Sequence, residues 1–299
     1  MNLSLKACTR NVLLLLGLCS ASWSQASTTY TYTYSYNWNV NGCGSTWYSS
    51  CGLTGSQTGS VASPTPAPAD PNAPSASINA SASGWANTQG NNSTISDQTL
   101  EKGALQSWSG GLGVRNLDYS TSANGGESRL DANEGSSPEH ATDNDERWDS
   151  ILYRFDKSVS LTNVSLSWYS NDSDLTVLAY TGADASNVGF DIESKLTNLK
   201  YDQLTANGWS FIKNTTGGYS QDISSAQSSS YWLIGAFNST FGSGDSNKDY
   251  VKIAGLSGTI TTQYTPPPPP GGGSVPEPGS LLLLGLGSLM LVRARGRVV

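Results

Sequence analysis

The chain has 299 residues, and its 16 lysines and arginines are outnumbered by 23 aspartates and glutamates, which gives a formal net charge of −7. This balance excludes a nucleic-acid partner, because phosphate binding needs a basic face. The length is enough for one domain with a hydrophobic core, together with linkers.

Residues 1–26 have the features of a signal peptide. Lys6 and Arg10 provide a positively charged start, residues 12–18 an apolar segment, and Ala26 ends a small-residue cleavage site. We therefore expect cleavage between Ala26 and Ser27, and export of the rest of the chain.

Residues 27–52 are predicted to combine an aromatic strand with a disulfide loop. From residue 29 to 40, aromatic side chains alternate with Thr, Ser and Asn, which is the period of a strand with one aromatic face. We expect that face to pack on a core; the alternative is an exposed surface on which sugar rings stack. Cys43 and Cys51 remain after removal of the signal peptide, so in an oxidising compartment we expect them to form a structural disulfide.

Two segments are predicted to be linkers. Residues 53–93 consist mainly of Gly, Ser, Thr, Ala, Pro and Asn, with too few large apolar side chains to offset the entropy of ordering. A flexible low-complexity linker or long loop is expected there. Residues 266–274 begin with five prolines and three glycines, which predicts a semi-rigid spacer followed by a flexible hinge.

Residues 94–265 have the pattern of a β domain. Short apolar runs are separated by Gly, Asn, Asp and Ser, and a short helix is expected only at 192–204. The alternation shifts by one residue near Thr162 and Asn163, which predicts a β-bulge. These features predict an all-β fold, an antiparallel, jelly-roll-like β-sandwich with long disordered linkers. The predicted strands are 151–155, 159–168, 175–180, 209–213, 231–237 and 250–264.

Carboxylates are concentrated between Asp118 and Asp149, and a second acidic group occupies 172–174. Several stand directly before predicted strands, where they would repel one another unless a cation lay among them. Ca²⁺ takes six to eight oxygens from loops of this composition, so we predict a Ca²⁺ site; the alternative is a solvated acidic face. The loop is not an EF-hand, because Trp148 stands where glycine is required. The predicted ligands are Asp143, Asn144, Asp145, Asp149, Asp172 and Asp174.

Patterns that indicate catalysis are weak. His140 is the single imidazole of the chain, and no Gly-x-Ser-x-Gly elbow surrounds a serine. Zinc would need more His or Cys ligands than the chain offers. We expect His140 to orient the acidic loop through hydrogen bonds or to face solvent. The protein is predicted not to be an enzyme and to have no catalytic residues. The alternative is a glycoside hydrolase that uses two carboxylates.

Residues 275–299 combine a short polar motif, an apolar run and a basic end. Pro276, Glu277 and Pro278 precede an apolar run that ends at residue 292 and is followed by three arginines. As a helix, the run of about 14 residues would be about 21 Å long, shorter than the roughly 30 Å hydrocarbon core. The arginines favour the cytoplasmic side, so the domain should lie outside. The arrangement resembles the PEP-CTERM sorting signal, which exosortase reads in Gram-negative bacteria that make extracellular polysaccharide; an ordinary membrane anchor is the alternative.

A second resemblance covers roughly residues 105–180. Residues 111–114, 139–144, 149–156 and 159–175 are similar to the body of a family of exosortase-dependent surface proteins, which implies a surface location and no assigned activity.

The two resemblances imply exosortase as a partner, with transient anchoring in the inner membrane before cleavage near Pro276, Glu277 and Pro278. They also imply a location at the cell surface or in the extracellular matrix of a Gram-negative bacterium. We expect a structural or adhesive role with exopolysaccharide or another biofilm matrix component as partner. A carbohydrate-binding module is the alternative.

Overall fold

The computed structural model describes most of the chain between residues 27 and 268. The described residues are 27–43, 50–89, 99–108, 110–116, 137–138, 140–145, 147–244 and 246–268. The predicted signal peptide, the sorting signal and most of the spacer lie outside them, and so do Ala26, Pro276, Glu277 and Pro278. Tyr30–Tyr264 forms one compact unit.

Regular structure in the described residues consists of twelve β-strands and four 3₁₀ helices of three or four residues. All pairings between these strands are antiparallel. The strands are β1 (Tyr30–Cys43), β2 (Cys51–Ser63), β3 (Ser77–Gln89), β4 (Thr99–Trp108), β5 (Gly111–Arg115), β6 (Thr142–Asp143), β7 (Asp149–Asn171), β8 (Leu175–Tyr180), β9 (Trp209–Asn214), β10 (Ser220–Asp222), β11 (Ser229–Ala236) and β12 (Asp249–Tyr264). The 3₁₀ helices are Ile192–Lys195, Tyr201–Gln203, Thr205–Asn207 and Ser239–Phe241.

The sheet curls back on itself around β7. The first half of β7 pairs with β3 and β11, and the second half pairs with β12 and β10. Since β1 pairs with both β2 and β12, and β2 pairs with β3, these five strands close into a ring. The prediction of an all-β antiparallel fold is confirmed; its two sandwich-like layers belong to one twelve-stranded sheet.

The main hydrophobic core fills the inside of this ring. Its largest fully buried side chains come from β1, β7 and β11, and the Trp38 ring meets the Phe155 ring edge to face at 5.0 Å. Fully burying one large apolar side chain contributes about 1.5–3 kcal/mol, so this cluster is the principal source of stability.

A second hydrophobic cluster lies on the opposite, outer face of β3, β7, β8 and β11. Residues 181–208 cover that face, and three of the 3₁₀ helices lie in this cover. Ile192, Leu196 and Leu204 from the cover pack against Leu152 and Leu233 of the sheet. The helix expected at 192–204 is therefore a pair of short 3₁₀ turns within an irregular layer.

The aromatic face of β1 is part of the core, as the favoured interpretation predicted. Tyr32, Tyr34, Tyr36 and Trp38 are all buried. Their polar ends reach the segment between β2 and β3: the hydroxyls donate to Pro68 O, Asp70 Oδ2 and Ser75 O at 2.7–2.8 Å, and Trp38 Nε1 donates to Ile78 O at 2.8 Å. This face is thus closed to sugar stacking.

The prediction of a linker at 53–93 does not match the structure. Most of that segment forms β2 and β3, and both strands belong to the same compact unit as the strands from 99 to 264. The physical reason lies in the neighbouring strand: Gly55 comes so close to Trp38 that a Cβ would lie 2.1 Å from the indole nitrogen. Small residues in β2 therefore make room for the aromatic side chains of β1.

The other strand predictions are confirmed. All six apolar runs predicted as strands between 151 and 264 coincide with β7, β8, β9, β11 and β12. The expected bulge is present as well, because Ser257 pairs with Asn163 and Gly258 with Leu161, which leaves Thr162 unpaired with β12. Within the part of the chain that the structure describes, no helix is long and apolar enough for a membrane span. The predicted apolar run at 279–292 lies outside it.

Candidate functional site

Three carboxylates converge where β7, β8 and β12 meet. Asp172 follows β7, Asp174 precedes β8, and Asp249 is the first residue of β12. One carboxylate oxygen from each lies within 4.8 Å of the others. Asp249 is fully buried, and the other two are half-buried.

The backbone around the cluster is held by its own side chains. Asp249 Oδ1 accepts a hydrogen bond from Asp174 N–H at 2.6 Å, and Asp172 Oδ1 accepts one from Ser173 N–H at 2.7 Å. Gly217, with φ +81°, passes beside the cluster, where a Cβ would lie 3.3 Å from Asp174 Oδ1 and 3.5 Å from Asp172 Oδ1. Only a glycine takes this conformation easily, so the backbone is positioned close to both carboxylates.

The electrostatics of the cluster favour a neutral Asp249 when no cation is bound. Burial raises the pKa of its carboxyl group from 3.8 to about 7, and the negative charges of Asp172 and Asp174 add to that rise. Hydrogen bonds from Asp174 N–H and from Asn144 oppose it. A bound cation would reverse this balance by favouring the ionised form.

The donor set fits a hard divalent cation. Oxygens on opposite sides of a Ca²⁺ ion are at most about 4.6–5.2 Å apart, because each Ca–O distance is about 2.3–2.6 Å. The 4.8 Å limit on the three carboxylates agrees with a shared ion. Asp172, Asp174 and Asp249 would hold it, and the ion would neutralise their mutual repulsion.

Of the six predicted ligands, the structure brings Asp172 and Asp174 together, with Asn144 next to them. Asn144 Nδ2 donates to Asp249 Oδ2 at 2.7 Å, and Asp249 N–H donates to Asn144 Oδ1 at 2.7 Å. The loop that carries Asn144 is thereby tied to the start of β12, as the prediction of two adjoining loops required.

Asp143, Asp145 and Asp149 are not among the three carboxylates that lie within 4.8 Å of one another, and their assignment as ligands stays a prediction. Asp143 is fully buried and accepts a hydrogen bond from Asp145 N–H at 3.0 Å. Asp149, also fully buried, accepts one from Asn116 Nδ2 at 3.2 Å.

Asp145 has partners of its own. It forms an ion pair with Lys248 and accepts a hydrogen bond from Tyr250 Oη at 2.5 Å. Asp143, Asp145 and Asp149 thus have contacts of their own, apart from the three clustered carboxylates.

Sequence reasoning missed Asp249. The signal was available, because Asp249 immediately precedes a predicted strand in the same way as Asp174 does. Asp249 lies 75 positions from Asp174 in sequence. Only the pairing of β7 with β12 brings it to Asp172.

His140 lies next to side chains of β4 and β12. Its Nε2 is 2.9 Å from Lys252 Nζ, and its ring lies 4.8 Å from that of Trp108. Lys252 Nζ also lies 4.6 Å from the centre of the Trp168 ring. Lys252 is buried, and this burial lowers the pKa of its ammonium group. Among the described residues, the hydrogen-bond partner of His140 Nε2 is therefore Lys252.

The predicted disulfide is present. Cys43, at the end of β1, bonds to Cys51, at the start of β2, and the two residues are also paired across the hairpin. The bond thus closes the end of the β1–β2 hairpin.

A cleft of about 180 Å³ opens on the outer face of β3 and β7, beside the 181–208 cover. Its polar lining consists of Ser50, Ser81, Ser83, Lys102, Arg154 and Glu193. No pattern in the sequence pointed to this cleft, because β3 was not predicted as a strand.

Comparison with known proteins bears on the C-terminus. A family model described as the PEP-CTERM protein-sorting motif matches residues 274–297, and this confirms the resemblance drawn from Pro276, Glu277 and Pro278. The resemblance of residues 105–180 to exosortase-dependent surface proteins stays a prediction. Comparison with curated proteins and with solved structures gives no match. The chain therefore carries a PEP-CTERM protein-sorting motif at its C-terminus, which marks it as an exported cell-surface protein that exosortase sorts.

Proposed function

We propose that the protein is a non-enzymatic structural or adhesive component of the extracellular matrix of a Gram-negative bacterium, associated with biofilm exopolysaccharide. The observation that carries this proposal is the sorting motif at 274–297, which directly follows a spacer of prolines and glycines. A single compact β unit, Tyr30–Tyr264, precedes the spacer.

The features of this unit suit a passive load-bearing role. Its strands close around one core, and a disulfide ties the β1–β2 hairpin. Proline-rich segments are extended and semi-rigid, so a spacer of this kind holds a domain away from the surface that anchors it.

Exosortase is the processing partner in this proposal. The apolar run at 279–292 is shorter than a helix that crosses the hydrocarbon core of a bilayer. It therefore holds the chain at the inner membrane only until cleavage near Pro276, Glu277 and Pro278. The mature protein then leaves the membrane and joins exopolysaccharide or another matrix component.

The test of this proposal compares the location of the protein in cells with and without exosortase. The protein should be found in the surface and matrix fractions of normal cells, and should remain with the inner membrane when exosortase is deleted. Unchanged location after deletion would contradict exosortase sorting. Recovery from the culture medium alone, with none in the matrix, would contradict the matrix role.

We also propose that Asp172, Asp174 and Asp249 bind Ca²⁺. Support comes from the convergence of three carboxylates, and from the raised pKa of Asp249, which burial and the negative charges of Asp172 and Asp174 both produce. Extracellular calcium sites bind at about 10⁻⁴–10⁻³ M, so the site would be at least about half occupied at millimolar calcium. The ion would fasten the β7–β8 turn to the start of β12.

Thermal unfolding in calcium and in chelator tests this site. Millimolar calcium is a one- to tenfold excess over such a Kd, so it should stabilise the folded state by about 0.4–1.4 kcal/mol, which corresponds to roughly 1–6 °C in melting temperature. Asp249→Asn should remove the calcium effect and change the melting temperature in chelator little, because the amide is uncharged, like the protonated carboxyl group that it replaces. Asp222→Asn changes a carboxylate that pairs with Lys213 elsewhere and serves as the control. Equal melting temperatures for the unmutated protein in calcium and in chelator would contradict the calcium site and favour the alternative, a solvated acidic face.

A carbohydrate-binding module is the second candidate function. The aromatic face of β1 does not support it, since that face is buried. The polar cleft beside Arg154 does, because hydroxyl and charged groups converge there on one open depression.

A further inference from the structure

Three charged side chains share the cleft on the outer face of β3 and β7, and they leave a cationic group with spare donors. Lys102 Nζ lies 2.7 Å from Glu193 Oε2, whereas Arg154 Nη2 lies 4.0 Å from Glu193 Oε1. A separation of 4.0 Å is too long for a hydrogen bond, so the Lys102–Glu193 pair is satisfied and Arg154 is not. The cleft carries a net charge of +1 in an acidic protein.

Arg154 is held in place but not saturated. Its guanidinium carbon lies 6.0 Å from the centre of the Tyr231 ring, a distance at which a cation is still attracted to an aromatic face. Among the described residues, its side chain donates no hydrogen bond. A planar guanidinium with free donors matches a carboxylate, which it binds through two parallel hydrogen bonds.

Serine hydroxyls line the rest of the cleft. Ser81 lies opposite Arg154 in the pairing of β3 with β7, and Ser83 lies opposite Leu152. Ser83 Oγ accepts a hydrogen bond from Trp85 Nε1 at 3.0 Å, so its own hydroxyl proton is available to a ligand. Ser50 adds another hydroxyl. Groups that both donate and accept are what the hydroxyls of a sugar require.

The shape follows from the sequence of β3. Its outward side chains are small at Ser81 and Ser83 but large at Trp85, which belongs to the second hydrophobic cluster. The cover ends beside the serines, with Ile192 buried and Glu193 partly exposed. A depression with a polar wall therefore remains next to the bulky cover.

We propose that this cleft binds an acidic sugar, a saccharide unit that carries a carboxylate, with Arg154 binding the carboxylate and the serines binding hydroxyls. The inference deepens the proposed carbohydrate-binding function and rests on it. It requires neither the calcium site nor exosortase sorting.

Isothermal titration of the exported protein with trigalacturonate tests the inference. The neutral trisaccharide maltotriose supplies hydroxyls without carboxylates, and inorganic sulfate supplies an anion without sugar hydroxyls. Saturable binding of trigalacturonate is expected, with much weaker binding of the other two. Arg154→Gln should raise the Kd at least about tenfold, because a hydrogen bond between charged groups is lost.

Two further variants separate a specific site from general attraction. Lys213→Gln removes the same charge from an exposed lysine that pairs with Asp222, and should leave the Kd unchanged. Ser81→Leu fills the cleft without a change of charge and should abolish binding. Circular dichroism melts of each variant establish that it is folded.

Four results would overturn the inference. These are no saturable binding at millimolar trigalacturonate, equal loss with Lys213→Gln, retained binding by a folded Ser81→Leu, and sulfate binding as tight as that of the sugar acid. Tight binding of maltotriose that Arg154→Gln does not change would overturn the acidic ligand while leaving carbohydrate binding intact. If the protein binds none of these sugars but still reaches the matrix, both the ligand proposed for the cleft and the carbohydrate-binding function are contradicted, and the structural role is not.

Discussion

Replacing Gly55 by alanine should destabilise the protein strongly. A Cβ at this position would lie 2.1 Å from Trp38 Nε1 and 2.5 Å from Ile78 O, the two atoms that form a buried hydrogen bond. Both contacts are shorter than ordinary van der Waals separations of about 3.5 Å by about 1 Å or more. The indole would have to move, and it is fully buried against Phe155.

The magnitude follows from two costs. Overpacking a filled core costs about 1–3 kcal/mol, and leaving the indole N–H unsatisfied costs about 1–3 kcal/mol more. Together they predict a loss of about 2–6 kcal/mol in the free energy of unfolding. In a unit of this size, 1 kcal/mol corresponds to about 2–4 °C in melting temperature, so the loss should lower it by roughly 4–24 °C.

Gly59→Ala is the matched control in the same strand. No atom lies within 4 Å of a Cβ at Gly59, and its φ is not positive. Alanine there should be neutral or should stabilise by up to about 1 kcal/mol through the unfolded state. Urea unfolding followed by tryptophan fluorescence measures both variants. Equal stabilities for Gly55→Ala and Gly59→Ala would refute the packing of β2 against Trp38, and would favour the linker that composition suggested.

Three further predictions concern separate parts of the structure. Breaking the disulfide with Cys43→Ser and Cys51→Ser together should cost about 2–3 kcal/mol, measured by denaturant unfolding, because the closed loop is short; free thiols found by alkylation of the unreduced, denatured protein would contradict the bond. Burial opposes ionisation of Asp70, but hydrogen bonds from Thr262, from Asn72 N–H and from Tyr34 lower the pKa of its carboxyl group below the usual 3.8. The ionised carboxylate therefore stabilises the folded state above about pH 4, and this stabilisation is lost as the pH falls through the lowered pKa. Asp70→Asn should therefore flatten the loss of stability between pH 5 and 2, and an unchanged pH profile would argue against these bonds. Asp172→Asn should weaken the response of the melting temperature to calcium, because Asp172 belongs to the carboxylate cluster. Asp143→Asn, outside that cluster, should lower stability equally with and without calcium. The opposite pattern would show that Asp143 is a ligand and Asp172 is not.

The strands that sequence analysis found are those whose own side chains carry the hydrophobic pattern. The alternation in β1 and the phase shift at Thr162 each predicted a feature that the structure contains. Both signals are local, because period-two patterning and a bulge can be read from adjacent residues.

The strands that the sequence did not predict depend on residues distant in the chain. β2 and β3 are built largely from Gly, Ser, Thr and Ala, and they are stabilised because Trp38 and the tyrosines of β1 fill the space that small side chains leave. The same limit applies to the candidate site. Asp172 and Asp174 could be found from their position before a strand, whereas Asp249 and the Arg154 cleft exist only once β7 is paired with β12 and β3.

The central claim, that exosortase sorts this protein through its C-terminal motif, is tested most directly by the intact mass of the protein recovered from the cell surface. We expect a chain that begins at Ser27 and ends near Pro276, Glu277 and Pro278, without the apolar run and the arginines. A mass that still includes Arg297, Val298 and Val299 would contradict it.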